Sequence, residues 1–234
     1  AASVQSALSG GPQCGGSNDL PDWLDDFDVP VFGTENPANI AGLPTSGAGT
    51  PVAGTDAIRL GKSEDLGIRL DESQPAPNAA NLKLAAPTTL IKDDDVVMVC
   101  EAGKATIFQI SNYNNNLTVV HNSGNGSGSI GNCTKGLNHD VLNDPNGNGT
   151  TLNPSSYLAV PRSIYWYIGT NAAGSTSLYR ARNAQTLANP NNWTDSIDID
   201  EMVRNVENMQ LAYHETGQAD FDDAGSVVDW ADVD

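Results

Sequence analysis

The sequence predicts an α+β domain rich in β-strand, on three observations. Short apolar or alternating runs bounded by Gly, Asp or Asn recur between residues 57 and 182, each the length of a strand. Near the carboxyl end, Asp198 and Glu201 have the three-residue spacing of a capping box, with Ile197 and Met202 placed as a hydrophobic staple. The chain has 234 residues, enough to bury one sizeable core, and a single domain over residues 1–234 is expected.

Taken in order, the first fifty-odd residues are rich in Gly, Pro, Asp and Asn and read as loop pinned to the domain, with small apolar groups at Trp23-Leu24 and Val29 to Phe32. Strands are predicted at Ala57 to Leu60, Leu66 to Leu70, Val96 to Cys100, Thr106 to Ile110 and Leu117 to His121. Asn122 to Ser156 is dense in Gly, Asn and Ser and reads as a long exposed loop, the kind of segment that often carries function. Ile164 to Ile168 and Ser177 to Arg182 flank a turn at Asn171-Ala172-Ala173-Gly174 and read as a hairpin. From Asp198 a short helix is predicted, carried by Met202, Val203, Val206 and Met209 at helical intervals. It runs into a strand in which Leu211 and Tyr213 alternate with polar neighbours. An acidic turn, Gln218 to Asp223, leads to a last short segment with Val227, Val228 and Trp230.

Charge narrows the partners. With 29 acidic against 11 basic side chains the net charge is −18, and phosphate binding needs clustered Lys and Arg, so nucleic acid and anionic membrane surfaces are not expected partners. From Asp195 to Asp234 there are 12 acids and one base, Arg204, so this fifth of the chain supplies 11 of the 18 net negative charges. Such a run serves as a solvated face, or as a surface for a basic partner or a hard cation.

Motifs for catalysis are absent. His121, His139 and His214 lie in unrelated contexts, with no HExxH, no paired CxxC, no GxSxG elbow and no phosphate-cradling glycine loop beside a lysine. The expectation is a non-enzyme without cofactor or metal. Asn143 to Gly149 places Asp144, Asn146 and Asn148 as in a calcium loop, with Gly149 at the sixth position, but the twelfth is Ser155 and Pro145 interrupts it, which favours an ordinary Asx/Gly turn. Asp220 to Asp223 is a second, weaker calcium candidate.

The order "DEMVRNVENMQLAYHETG", an acidic loop, then "VVDWADV" resembles the carboxyl-terminal region of the PilW family of type IV pilus minor pilins. That family carries a valine-glutamate-aromatic-or-amide-methionine/leucine-glutamine run ending in a tyrosine, and then a tryptophan segment. The matching positions are Val206, Glu207, Asn208, Met209, Gln210, Tyr213 and Trp230. The resemblance continues, in collinear order, through "PVFGTENP" (Pro30 to Pro37), "GTDAIRL" (Gly54 to Leu60), "VVMVCEAGKATIFQIS" (Val96 to Ser111), "IYWYIG" (Ile164 to Gly169) and "SLYRAR" (Ser177 to Arg182). Met209, Leu211, Tyr213 and Trp230 also have an ordinary use as core residues of any α+β domain.

The resemblance implies a pilin-like fold, an antiparallel sheet with an amino-terminal helix packed on it, enlarged here by long loops. It implies a structural subunit that joins other minor pilins, primes filament growth and sits at the pilus tip, where it supports a tip adhesin. It implies a precursor held in the bacterial inner membrane through an amino-terminal helix missing from this sequence, then export to the cell surface, and a last apolar strand after the tryptophan segment, which is either lacking in this chain or lies beyond Asp234. Export favours a disulfide. Cys100 with Cys133 is expected, because Cys100 ends an apolar strand and Cys133 sits in the loop such a bridge would tether. The competing arrangement pairs Cys14 with one of them and leaves the third as a buried thiol. Three other functions compete: a type II secretion pseudopilin of the GspJ kind, an exported carbohydrate-binding or adhesin module using Trp23, Trp166 and Trp193, and, weakest, an extracellular hydrolase, for which no spacing of facing carboxylates or a Ser/His pair is found.

Overall fold

The structure, a computed structural model, describes residues 3–9, 27, 29–72, 74–75, 79–124, 130–137, 152–153, 155–183 and 197–233. Among these residues the chain is strand-rich, and its only helices are three-residue 3-10 turns: η1 (Pro37–Asn39), η2 (Ala224–Ser226) and η3 (Trp230–Asp232). Among the described residues eleven strands follow one another: β1 (Ser3–Ser6), β2 (Val31–Thr34), β3 (Ala57–Arg69), β4 (Asn81–Lys83), β5 (Val96–Glu101), β6 (Lys104–Gln109), β7 (Asn112–Asn114), β8 (Thr118–Val120), β9 (Tyr157–Thr170), β10 (Thr176–Asn183) and β11 (Ile197–Arg204). The chain divides into two compact units, Ala1–Asp28 with Ser63–Pro161 and Gln185–Ser196, and Val29–Lys62 with Arg162–Ala184 and Ile197–Asp234.

In the first unit β1, β6, β5 and the Tyr157 end of β9 hydrogen-bond in that order, β1 parallel to β6 and the others antiparallel. Strand β5 explains the arrangement. Val96, Val97, Met98, Val99 and Cys100 are all buried, an unbroken apolar run rather than an alternating one, as a strand covered on both faces requires. Val97 and Val99 join one core cluster with Phe108, Ile110, Leu82, Val119 and Leu158. Val96, Met98 and Cys100 point the other way, into a second cluster with Leu8, Ala105, Ile107 and Ile130. A small antiparallel sheet, β4-β8-β7, supplies Leu82 and Val119 to the first cluster.

The second unit holds the hairpin anticipated from sequence. Thr176–Arg182 of β10 pairs antiparallel with Ile164–Thr170 of β9 across a turn whose Gly174 has φ 79°. Asn171 closes that turn, its side-chain Oδ1 accepting the N–H groups of Ala173 and Ser175. The alternation continues on both strands: Tyr165, Tyr167, Tyr179 and Ala181 are buried, whereas Ile164, Trp166, Arg180 and Arg182 are half-buried. Tyr167 and Tyr179 stack at 5.7 Å between ring centroids, and burial raises the pKa of each hydroxyl above the usual phenol value. On the far side of β10 lies β11, and β2 pairs antiparallel with the Ala57–Leu60 end of β3.

Four expectations are corrected. Residues 197–204 form a strand, not a capped helix: Ile197 and Ile199 alternate with Asp198 and Asp200, and the acids meet Arg182 and Arg180 of β10 at 3.3 and 2.7 Å. Long-range pairing overrides the local capping pattern. Leu211 to Tyr213 is not a strand; it makes only the single bridge Tyr213–Asp222. Asn122–Ser156 is not simply exposed loop, since Ile130, Asn132, Thr134, Leu137 and Leu152 are buried. The region before residue 50 contributes strands β1 and β2. The amino-terminal helix has no counterpart among the described residues.

Candidate functional site

The residues singled out near the carboxyl end come together in the second unit, held by two polar clamps. The Asp56 N–H donates to the carbonyl of Met209 at 2.9 Å, and its buried carboxylate accepts the Leu211 N–H at 2.6 Å. Between those two contacts, the Gln210 amide donates to the Gly54 carbonyl at 3.1 Å. Residues 54–56 and 209–211 are thus zipped side by side, and Asp56 fixes the register because its side chain does the work of a backbone acceptor.

Beyond this zip the chain turns inward at Tyr213. Its phenol lies against Gly33 of β2 so closely that a Cβ there would fall inside the ring and hydroxyl. The hydroxyl is buried without a hydrogen-bond partner, and burial, with the Asp56 carboxylate nearby, pushes its pKa up to about 12. Trp230 closes the cluster, edge-on to Tyr213 at 4.8 Å and tilted against Phe32 at 4.9 Å between centroids. Arg59, itself buried, sets its guanidinium 5.4 Å from the centroid of the Phe32 ring, adding a cation to the aromatic cluster.

The segment after Tyr213 is held by two carboxylates. Buried Glu215 accepts the N–H groups of Val228 at 3.2 Å and Asp229 at 2.9 Å, and Glu35 accepts the Gly225 N–H at 3.2 Å. Neither Glu215, Glu35, Asp56 nor Gly33 was distinguishable in sequence as a partner of the motif. A lone acid or glycine in a loop carries no local mark of the N–H or ring it will meet.

The motif residues therefore divide. Met209, Gln210, Tyr213 and Trp230 make the contacts just described, whereas Val206 is half-buried and Glu207 exposed. The expected Cys100–Cys133 bridge is not formed. Cys100 is a free, buried thiol whose side chain lies in the second core cluster, and burial pushes its pKa up. Its cross-strand neighbours are Ala105 on β6 and Tyr157 on β9, whereas the Cys133 N–H donates to Ala7, just past β1, which pairs on the far side of β6. Cys133 is itself disulfide-bonded and Cys100 is free, so the two are not partners. Cys14 lies outside the described residues.

The remaining candidates are scattered. His121 is buried against Phe108 and His214 accompanies Phe221 on the acidic turn, 5.4 Å between centroids. His139, Trp23, Trp193 and the Asn143–Gly149 loop lie outside the described residues, and Trp166 is half-buried on β9. Asp222 of the acidic turn spends its backbone on the bridge to Tyr213, and among the described residues no three His, Cys, Asp or Glu side chains gather as a metal site. Comparison with family profiles, curated proteins and solved structures finds no match.

Proposed function

We propose that this chain is the globular head of a PilW-like minor pilin, a non-catalytic subunit that primes type IV pilus assembly and sits in the tip complex with other minor pilins. On this reading its fold is pilin-like, with an amino-terminal helix that carries the precursor in the inner membrane. One observation supports it above the others. Four pieces of the resemblance that are far apart in sequence, Pro30 to Pro37, Gly54 to Leu60, Val206 to Tyr213 and Trp230, meet in one cluster through Asp56–Leu211, Gln210–Gly54, Tyr213–Gly33 and Trp230–Phe32. Residues that recur together as a motif need a shared structural job, and packing around Tyr213 gives them one. A second support is that "IYWYIG" and "SLYRAR" face each other as paired strands.

The test is co-purification of this head with the minor pilin heads encoded in the same gene cluster. A stable heteromeric complex is the expected outcome. A protein that stays monomeric with every such head and binds an oligosaccharide instead overturns the proposal.

A further inference from the structure

Strand β11 is the outermost strand of the second unit's sheet. β10 pairs along one side of it, and no strand among the described residues pairs along the other. Unpaired N–H and C=O groups on a sheet edge are a template for a further strand, and chains normally guard such edges with lysine, proline, a bulge or a covering segment. Here there is no lysine and no proline. A bulge is present, because Tyr179 sits opposite Glu201 and Leu178 opposite Val203, leaving Met202 as the extra residue. The bulge confines the regular edge to Ile197–Glu201 and turns Met202 and Val203 outward, 42% and 51% exposed.

The side chains along that edge say what it suits. Asp198 and Asp200 each give one carboxylate oxygen, Oδ2, to an arginine of β10, and their side chains remain 58% and 39% exposed. The rungs therefore run Arg182–Asp198 and Arg180–Asp200 and end in an acid at the open side. Opposite charges facing each other across neighbouring strands are favourable and like charges are not. A strand added here meets two carboxylates, with the exposed Met202 and Val203 beside them. A second copy of this chain is a poor occupant, since it presents the same acids and a net charge of −18.

We propose that β11 is a docking edge that takes an extended segment of a partner subunit carrying Lys or Arg at alternate positions, prolonging each rung to Arg–Asp–Lys or Arg–Asp–Arg. Backbone hydrogen bonds along Ile197–Glu201 supply affinity, and the two acids select a basic strand over an acidic one. The inference rests on the assembly role above for the existence of such a partner, but the edge itself is testable without it.

The probe is a ten-residue blocked peptide alternating Lys and Val, compared with its Glu/Val counterpart, with binding followed by fluorescence anisotropy and backbone amide exchange read residue by residue. The Lys/Val peptide is expected to bind about ten-fold more tightly than the Glu/Val peptide, from two rungs of charge pairing. It is expected to slow exchange of amides in Ile197–Val203. The double variant Asp198→Asn/Asp200→Asn, which keeps side-chain acceptors for both arginines, is expected to lose most of that preference. Equal binding of the two peptides, or protection confined to another strand, overturns the inference. Amide exchange on a complex with minor pilin heads separates the two proposals. A stable complex with β11 unprotected removes the docking edge and keeps the pilin role, whereas peptide binding at β11 with no complex keeps the edge and removes the role.

Discussion

Acidification from pH 7 to pH 5 is expected to remove about 2 kcal/mol of the stability that one side chain, His121, contributes. The imidazole is 2% exposed and packs edge-on to Phe108 at 5.6 Å, and neither ring nitrogen has a hydrogen-bond partner. Burial lowers its pKa from 6.5 to about 4, because the charged form has left water for an apolar site. The folded protein thus holds His121 neutral over a range in which the unfolded chain protonates it. The stability it contributes is complete above 6.5 and is lost as the pH falls through 6.5 toward 4. Between those values the unfolded state binds about one more proton, which weighs about 2 kcal/mol at pH 5 and about 3 at pH 4. The measurement is urea unfolding of the wild type and His121→Phe at pH 7, 6 and 5. Other groups that titrate in this range are common to both proteins and cancel in the difference. The stability gap between variant and wild type is expected to widen in the variant's favour by about 2 kcal/mol from pH 7 to pH 5, equivalent to roughly 4–8 °C in melting temperature. Parallel pH curves would refute the reasoning, whatever the variant's stability at pH 7.

Four further outcomes follow from the packing. Tyr213→Phe removes a buried hydroxyl that has no partner and is expected to leave stability unchanged or raise it by about 1 kcal/mol in thermal melts. Gly33→Ala drives a methyl into that ring and is expected to destabilise by about 1–3 kcal/mol, with the Tyr213→Ala background relieving the effect in a double-mutant cycle. Asp56→Ala leaves the Leu211 N–H without its acceptor and is expected to cost about 1–3 kcal/mol and to speed exchange of that amide, whereas Asp56→Asn retains part of the bond. Cys100 is expected to resist maleimide in the native protein and to label once it is unfolded in urea, as a buried thiol with a raised pKa should.

What was legible in the sequence was whatever depends on a short stretch alone. The apolar run at Val96 to Cys100, the alternation in Ile164 to Ile168 and Ser177 to Arg182, and the turn at Asn171 to Gly174 each carry their strand or loop in adjacent residues, and each stands where it was expected. The Ile197–Arg204 strand is misread because its first five residues satisfy two patterns at once. The Asp–Glu spacing of a helix cap and the Ile-Asp-Ile-Asp alternation of a strand coexist there, and only Arg180 and Arg182, about twenty residues away, decide between them. β1 was invisible for a similar reason, since Ser3–Ser6 pairs in parallel with Lys104–Ile107 across a hundred residues. In the candidate site, Tyr213 and Trp230 stood out as large aromatic side chains, but the glycine that receives one and the aspartate that sets the register carry no local signature.

Asn132 behaves like a piece of backbone. Its Oδ1 accepts the Gln109 N–H at 2.7 Å and its Nδ2 donates to the Gln109 carbonyl at 2.8 Å, in a spot with no solvent exposure. The role depends on one end of the group giving a proton while the other receives one. Conversion of this amide to an acid by Asn132→Asp substitution would set oxygen against oxygen and strip the donor from the seam. The attachment of residues 130–134 to β6 therefore hangs on a single nitrogen atom.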